Sequence, residues 1–274
     1  MNSYYLIGYT FGIIWEDETE VSEYSIVEGN SDLSKKKVGI NTDFAKSLLG
    51  RNAGDEVSFV SNGVKNKFLL KYIECPQFVD VCKYRNVSTL YHFTPIENLE
   101  SILKHGILSI NKLKEKNIQY VYNDSERLEN QPDYICFSVE YPNGMLLRNY
   151  MRTRHREYVL LEIDINVLNY KYARCCPVNA ATARGGYVKS IADFYSLFEG
   201  SRHKDLPNNF PSDEQAEILI KDNVEPIYIK KVVFETLYSK NKFANIANSE
   251  VNYKLFKYRS DFLNLKVNFS TRPY

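Results

Sequence analysis

Four stretches of this chain combine residue types that can bind or transform a polar ligand. Gln215-Ala216-Glu217 runs directly into Ile218-Leu219-Ile220. Burying a carboxylate at the mouth of an apolar strand is costly unless the charge is paired or used. One use is to bind a ribose hydroxyl and face the positive charge that develops as the nicotinamide–ribose bond of NAD breaks through an oxocarbenium-like state. The alternative is a salt bridge at a sheet edge. A second stretch is Tyr91-His92-Phe93-Thr94, followed by Asn98-Leu99, Ser101-Ile102-Leu103 and Gly106-Ile107. It fits a short strand entering a capped helix, which offers backbone amides and a hydroxyl to a polar ligand. A histidine just ahead of a helix serves equally as a structural residue. The third is Asp124-Ser125-Glu126-Arg127-Leu128, upstream of the run from Ile135 through Ser138 and Tyr141 to Asn143. Arg127 has the rigid donor fork to clamp a pyrophosphate or a ribose-bound group, or to pair with Asp124 or Glu126. The fourth places Arg148, Arg152, Arg154 and Arg156, with His155, in nine positions around Tyr150. That composition suits phosphate contact and also an ordinary solvated face.

These residues need elements to hold them. Residues 1–74 read as β-rich, with alternating or β-branched runs at 4–14, 21–27, 56–60 and 67–73 separated by turn-forming pieces. A short helix fits 41–50, with Asn41 or Thr42 as cap and Gly50 as stop. Pro76 discourages the continuation of a helix and puts a boundary near 76–88. The expected organisation is a small β-rich domain over 1–78 and a second, α+β domain over 79–274. Within the second, 92–107 reads as a helix with Ile96, Leu99, Ile102 and Leu103 on its apolar face and Gly106 at its end. Strands fit 134–139, 158–165, 216–220 and 227–234, and a helix fits 191–198. The polar segment 199–214, with Pro207 and Pro211, is a loop directly before a strand, a position that often carries function. The segment 250–274 is aromatic and basic and takes no assignment.

Composition narrows the classes. With 274 residues, 44% hydrophobic and 25% charged, the chain can bury a sizeable core. Its 22 tyrosines and 15 phenylalanines suit base stacking and half-buried strands alike. A net charge of +1 is not that of a polycation, so any nucleic-acid contact must come from a local patch. Cys75, Cys82, Cys136, Cys175 and Cys176 show no metal-ligand spacing, and no metal is expected. The first residues lack a positive n-region and a cleavage site, and no apolar run approaches about 18 residues. The expectation is a cytoplasmic protein with reduced thiols and no membrane partner.

Taken in order, YHFTPIENLESILKHGIL, DSERLENQPDYICFSVEYPN, YVLLEIDINVL, PVNAA at 177–181 and EQAEILI resemble the DarT family of DNA ADP-ribosyltransferase toxins, over residues 89–235. The resemblance implies an ADP-ribosyltransferase fold, a split β-sandwich with helices that grips NAD in a central cleft. It implies NAD as substrate, Glu217 as the catalytic glutamate and Arg127 as an arginine that assists. His92, Phe93, Thr94, Asn98, Gly106, Ser138 and Tyr141 would surround NAD. Gln215, the 203–214 loop, Arg148, Arg152, Arg154, His155 and Arg156 would contact single-stranded nucleic acid, DNA in preference to RNA. Gln two residues before Glu217, and ICFSVEYPN ahead of the arginine-rich stretch, resemble the guanine-specific branch more than the thymine-specific one. A side-chain amide can accept from guanine's exocyclic amine and donate to its carbonyl. An antitoxin partner and a role in phage defence are implied as well. Separately, NTDFAKSLLGRNAGDEVSFV at 41–60 is similar to the C-terminal domain of Gre transcript-cleavage factors. That similarity implies an FKBP-like β-domain, acting either to dock on RNA polymerase or to cap the transferase. RNA as the acceptor, and a non-catalytic interaction protein, are the competing readings.

Overall fold

Aromatic and β-branched runs build the first sheet. The computed structural model describes residues 6–122, 131–181 and 187–263. Strands β1 (Thr10–Trp15), β2 (Ser22–Val27), β3 (Lys37–Gly39), β4 (Glu56–Ser61) and β5 (Val64–Glu74) form a sheet in the order β3-β2-β1-β5-β4. Helix α1 (Asp43–Leu48) covers one face, and the Thr42 hydroxyl caps it by accepting from the Ala45 amide at 3.1 Å. Trp15, Phe44, Phe59 and Phe68 meet beneath it with ring centroids 5.5 to 6.3 Å apart. Of the run expected over 4–14, residues 4 and 5 lie outside the described residues, 6–8 turn through Gly8 at φ +87°, and β1 begins at Thr10. Pro76 continues no helix but begins one. It opens helix α2 (Pro76–Arg85), since a first helical position has no amide bond to lose.

The second sheet is larger. It comprises β6 (Thr89–Pro95), β8 (Tyr134–Val139), β9 (Tyr158–Asp164), β10 (Ala173–Cys176), β11 (Lys189–Ser190), β12 (Glu217–Lys221), β14 (Ile229–Phe234) and β15 (Ser249–Val251). Their order is β11-β10-β12-β8-β6-β9-β14-β15, and a short pair, β7 (Ile107–Leu108) with β13 (Asn223–Val224), lies apart. The helix expected over 92–107 is divided. Thr89 to Pro95 is strand, a 3-10 turn spans Ile96–Asn98, and only α3 (Leu99–His105) is helical. Aromatic and β-branched residues at 91–94 favour the pleated surface. The helical spacing of Ile96, Leu99 and Ile102 belongs to the 3-10 turn and α3 alone. Further along, α4 (Ile110–Glu115), α5 (Gly144–Arg154), α6 (Leu237–Asn241) and α7 (Arg259–Phe262) complete the helices, while Ile191–Phe198 is a kinked 3-10 segment. The strand expected over 227–234 starts at Ile229, after a 3-10 turn at Pro226–Tyr228.

One pairing governs the shape. β6 pairs with β9 along its whole length, from Thr89 to Pro95. It pairs with β8 only at Leu90 opposite Val139 and Tyr91 opposite Ser138. Beyond Tyr91 the two strands part, and the sheet forks into halves β11-β10-β12-β8 and β6-β9-β14-β15. The fold is therefore α+β, with a split sheet preceded by a β-rich segment.

The two sheets share one core. Phe11, Ile13, Leu70 and Ile73 of the first belong to the same apolar cluster as Phe137, Ile163, Ile218 and Leu219 of the second. Polar ties cross the same junction. The Tyr9 hydroxyl donates to the Ala173 carbonyl at 2.9 Å, the Ala53 amide to the Tyr170 carbonyl at 2.9 Å, and the Tyr172 amide to Asn52 Oδ1 at 2.8 Å. A second cluster, including Tyr141, Leu147, Tyr158, Phe210 and Phe256, packs α5 and the last helical turns onto the β6-β9-β14 half. Among the described residues, no helix is long and apolar enough to cross a membrane.

Candidate active site in the fork of the large sheet

A cavity of about 350 Å³ occupies the fork. One wall is β6 from Tyr91 to Thr94 and the other is β8 from Tyr134 to Ser138. α3 and the residues after Gly106 close the floor. Glu217 reaches this cavity from the first position of β12, between Ser138 on β8 and Cys176 on β10. It is 7% exposed, and its Oε2 accepts from the Ala180 amide at 2.8 Å. Thus the backbone of the PVNAA segment helps fix the orientation of the carboxylate.

The β6 residues meet the fork in distinct ways. His92 Nδ1 lies 3.0 Å from the Cys136 carbonyl, bridging the strands just where their ladder ends. A carbonyl only accepts, so this bond requires the Nδ1–H form of the ring. Thr94 is buried, and its hydroxyl accepts from Asn98 Nδ2 at 2.9 Å. Asn98 also donates to the Val121 carbonyl and accepts from the Val121 amide, at 2.9 and 2.8 Å. It therefore clamps 120–122 over the cavity, where Tyr120 and Tyr122 meet at 4.4 Å between centroids. Phe93 packs against Tyr150 and Tyr158 at 6.0 and 6.2 Å. Gly106, on the cavity floor, has φ +81°, and a Cβ there would lie 2.3 Å from the Val224 carbonyl oxygen. Only glycine lets β7 and β13 pair so closely behind α3. Ser138 Oγ accepts from the Asn143 amide at 3.0 Å, which leaves the hydroxyl proton to donate.

A family model described as "ssDNA thymidine ADP-ribosyltransferase, DarT" matches residues 91–262. The chain belongs to the DarT family. No curated protein matches it. Among solved structures, Thermosipho africanus DarTG in complex with ADP-ribose is 20% identical with a TM-score of 0.43, over 64% of this chain and 50% of that one. The match thus spans half the length of that relative. Thermus sp. 2.9 DarT in complex with NAD+ is 14% identical with a TM-score of 0.43, over 61% of this chain and 96% of that one. The same protein in complex with ADP-ribosylated ssDNA is 17% identical with a TM-score of 0.40, over 64% and 95%.

The DarT-like residues expected around the cleft divide by position. His92, Phe93, Thr94, Asn98, Gly106, Ser138 and Glu217 share the cavity wall. Tyr141 does not. It is buried one turn past β8, and its hydroxyl donates to the Lys254 and Lys257 carbonyls at 3.1 and 3.0 Å. A buried phenol takes the nearest backbone acceptors, and here the C-terminal turn supplies them. Gln215 also lies off the cavity wall, half-buried, with its backbone amide donating to Asp213 Oδ1 at 2.8 Å. Arg127 falls outside the described residues. Arg148, Arg152 and Arg154 are exposed on α5, while His155 closes that helix at φ 51°. Arg154 lies over the Tyr150 ring at 5.9 Å, and Arg156 pairs with Glu97 at 3.4 Å. Burial pushes the Glu235 carboxyl upward, and the neighbouring Arg148 charge pulls it back.

α5 turns Asn143, Leu146 and Tyr150 toward the cavity; Asn143 and Tyr150 belong to stretches the sequence marked for other reasons, and Leu146 was not singled out. The signal was present in the sequence. Asn143 precedes an amphipathic stretch and caps it, its Oδ1 accepting from the Leu146 amide at 3.0 Å. Among the described residues, no group of three or more His, Cys, Asp and Glu side chains is arranged to hold a metal.

Proposed function

We propose that the fork cavity binds the nicotinamide end of NAD and that Glu217 catalyses transfer of ADP-ribose to a base of single-stranded DNA. The supporting observation is the placement of a 7%-exposed carboxylate in the cavity, oriented by the Ala180 amide, in a chain of the DarT family. In the reaction the C1′–N bond breaks, and nicotinamide leaves with the bonding electrons. Positive charge spreads over C1′ and the ring oxygen, where a fixed carboxylate is most stabilising. A nucleophilic atom of the base then bonds to C1′ and gives up its proton. Membership of the family supports DNA as the acceptor. The matched family model is described by thymidine, whereas the Gln215-x-Glu217 spacing supports guanine. We favour guanine on that spacing, with RNA as the competing acceptor. An antitoxin that blocks or reverses the modification, and a role in defence against phage, follow from the damage such a modification does to replicating DNA.

Labelled NAD offered with oligonucleotides lacking guanine, lacking thymine, or made of RNA separates these acceptors. Glu217→Ala is expected to lower the transfer rate at least about 100-fold, in line with loss of a transition-state charge partner, with an unchanged unfolding curve. Transfer at the native rate by that variant would remove Glu217 from the mechanism.

A further inference from the structure

The loop that leads to Glu217 has no strand or helix of its own between residues 199 and 216, yet its backbone acceptors are occupied by guanidinium groups. Arg202 donates to the Phe210 carbonyl at 2.7 Å and the Pro207 carbonyl at 2.9 Å. Arg259, buried on α7, donates to the Pro211 and Ser212 carbonyls at 2.7 and 3.1 Å. Arg85, at the end of α2, donates through one nitrogen to the Asn208 carbonyl at 3.0 Å and to Asn208 Oδ1 at 2.8 Å. Arg85 is only 7% exposed, and its guanidinium lies 4.5 Å above the Phe198 ring and 5.2 Å from that of Tyr195.

The neighbouring residue is tied to the same segment. Asn209 Nδ2 donates to Glu140 Oε2 at 2.8 Å, while Glu140 Oε1 accepts from the Ser88 amide and, at 2.8 Å, from the Thr89 amide. Adjacent loop residues are therefore held, directly or through one carboxylate, by residues 85–89. Charge-assisted bonds of this kind are stronger than neutral ones, and rigid planar donors match carbonyls well. A loop already in its binding shape loses less conformational freedom when a ligand arrives.

We infer that Arg85 is a positioning residue for the nucleic-acid acceptor: it holds the 203–212 loop in its binding shape, from a helix outside the region matched to the family. The inference rests on the proposed function, because only that reading makes this loop a recognition element. Its exposed side chains include His203, Lys204, Asp205 and Asn208.

Arg85→Met tests it. Methionine keeps the packing against Phe198 and leaves the exposed Asn208 to water, so the fold is retained. The KM for single-stranded DNA should rise at least about tenfold, the loss expected for a charge-assisted anchor, with kcat and DNA-independent NAD hydrolysis within about twofold of native. Trypsin should cut faster after Lys204 in this variant, and Arg85→Lys should restore part of both properties. An unchanged KM and an unchanged cutting rate would overturn the inference. So would a parallel fall in NAD hydrolysis and DNA modification, which would mark Arg85 as a general support of the fold. If the native protein cleaves no NAD, the functional reading fails by itself, and cutting at Lys204 still reports whether Arg85 anchors the loop.

Discussion

Asn143 serves two elements at once. Its backbone amide donates to Ser138 Oγ, and its side-chain oxygen caps α5. Its Nδ2 is buried on the cavity wall with no hydrogen-bond partner among the described residues. A buried donor without an acceptor costs about 1–3 kcal/mol, and a ligand oxygen in the cavity would recover it. Asn143→Ala should therefore do two separable things. It should lower the unfolding free energy by about 1 kcal/mol through the lost cap, read from the urea midpoint. It should also weaken NAD binding measured by calorimetry. Native affinity in a destabilised variant would leave Asn143 with the cap alone. Tyr141 shows the converse: a tyrosine beside a site strand whose hydroxyl is taken up by the C-terminal turn.

Among the elements, α5 joins the cavity to an arginine-rich surface. Asn143 at its cap, Leu146 and Tyr150 line the cavity, while Arg148, Arg152 and Arg154 stand exposed. Arg148 and Arg152 are one turn apart and so share a face. A strand of DNA tracking along that face would release counterions from each phosphate neutralised. Replacing both Arg148 and Arg152 by glutamine should reduce the slope of log affinity against log salt by about 1.4, or about 0.7 for each contact to single-stranded DNA. NAD hydrolysis without DNA should stay near native. An unchanged slope would return these arginines to the solvated surface. The forked pair β6 and β8 makes a different contribution. Its short ladder leaves the Cys136 carbonyl for His92 and opens the space that Glu217 faces.

For the whole molecule, the N-terminal sheet is part of the structure that carries the site. Tyr9, Asn52 and Ala53 bond directly to residues 170–173, which continue into β10 and the PVNAA segment beside Glu217. The shared core also encloses thiols. Burial pushes Cys75 up to about 11 and Cys176 up to about 11, from an ordinary value of 9.0. The folded protein keeps protons that the unfolded chain loses above its ordinary thiol value. This contribution to stability is full below that value and falls as pH rises toward 11. The urea midpoint should accordingly drop between about pH 8 and about pH 10.5, with slow thiol alkylation of the folded protein at the lower pH. A midpoint that does not move across that interval would mean the two thiols are not buried as described.

Local stereochemistry was legible along the chain. A cap at Asn41 or Thr42, the glycine that stops α3, the strand at 134–139, the strand expected at 216–220 and found one residue on at 217–221, and the irregular loop before Glu217 depend on near neighbours and leave short signatures. The ordered family motifs carried the fold class. Other features lay beyond the sequence by itself. The short strand read at 91–94 extended to 89–95, past the start of the helix expected from 92, because β9 offered seven residues of partner there. Pro76 opened a helix because the end of β5 delivered the chain to a first helical position. The fork, the hold of Arg85 on Asn208 and the capture of Tyr141 by the C-terminal turn join residues far apart in the chain. Such pairings are settled by which surfaces bury one another, and no local spacing records that choice.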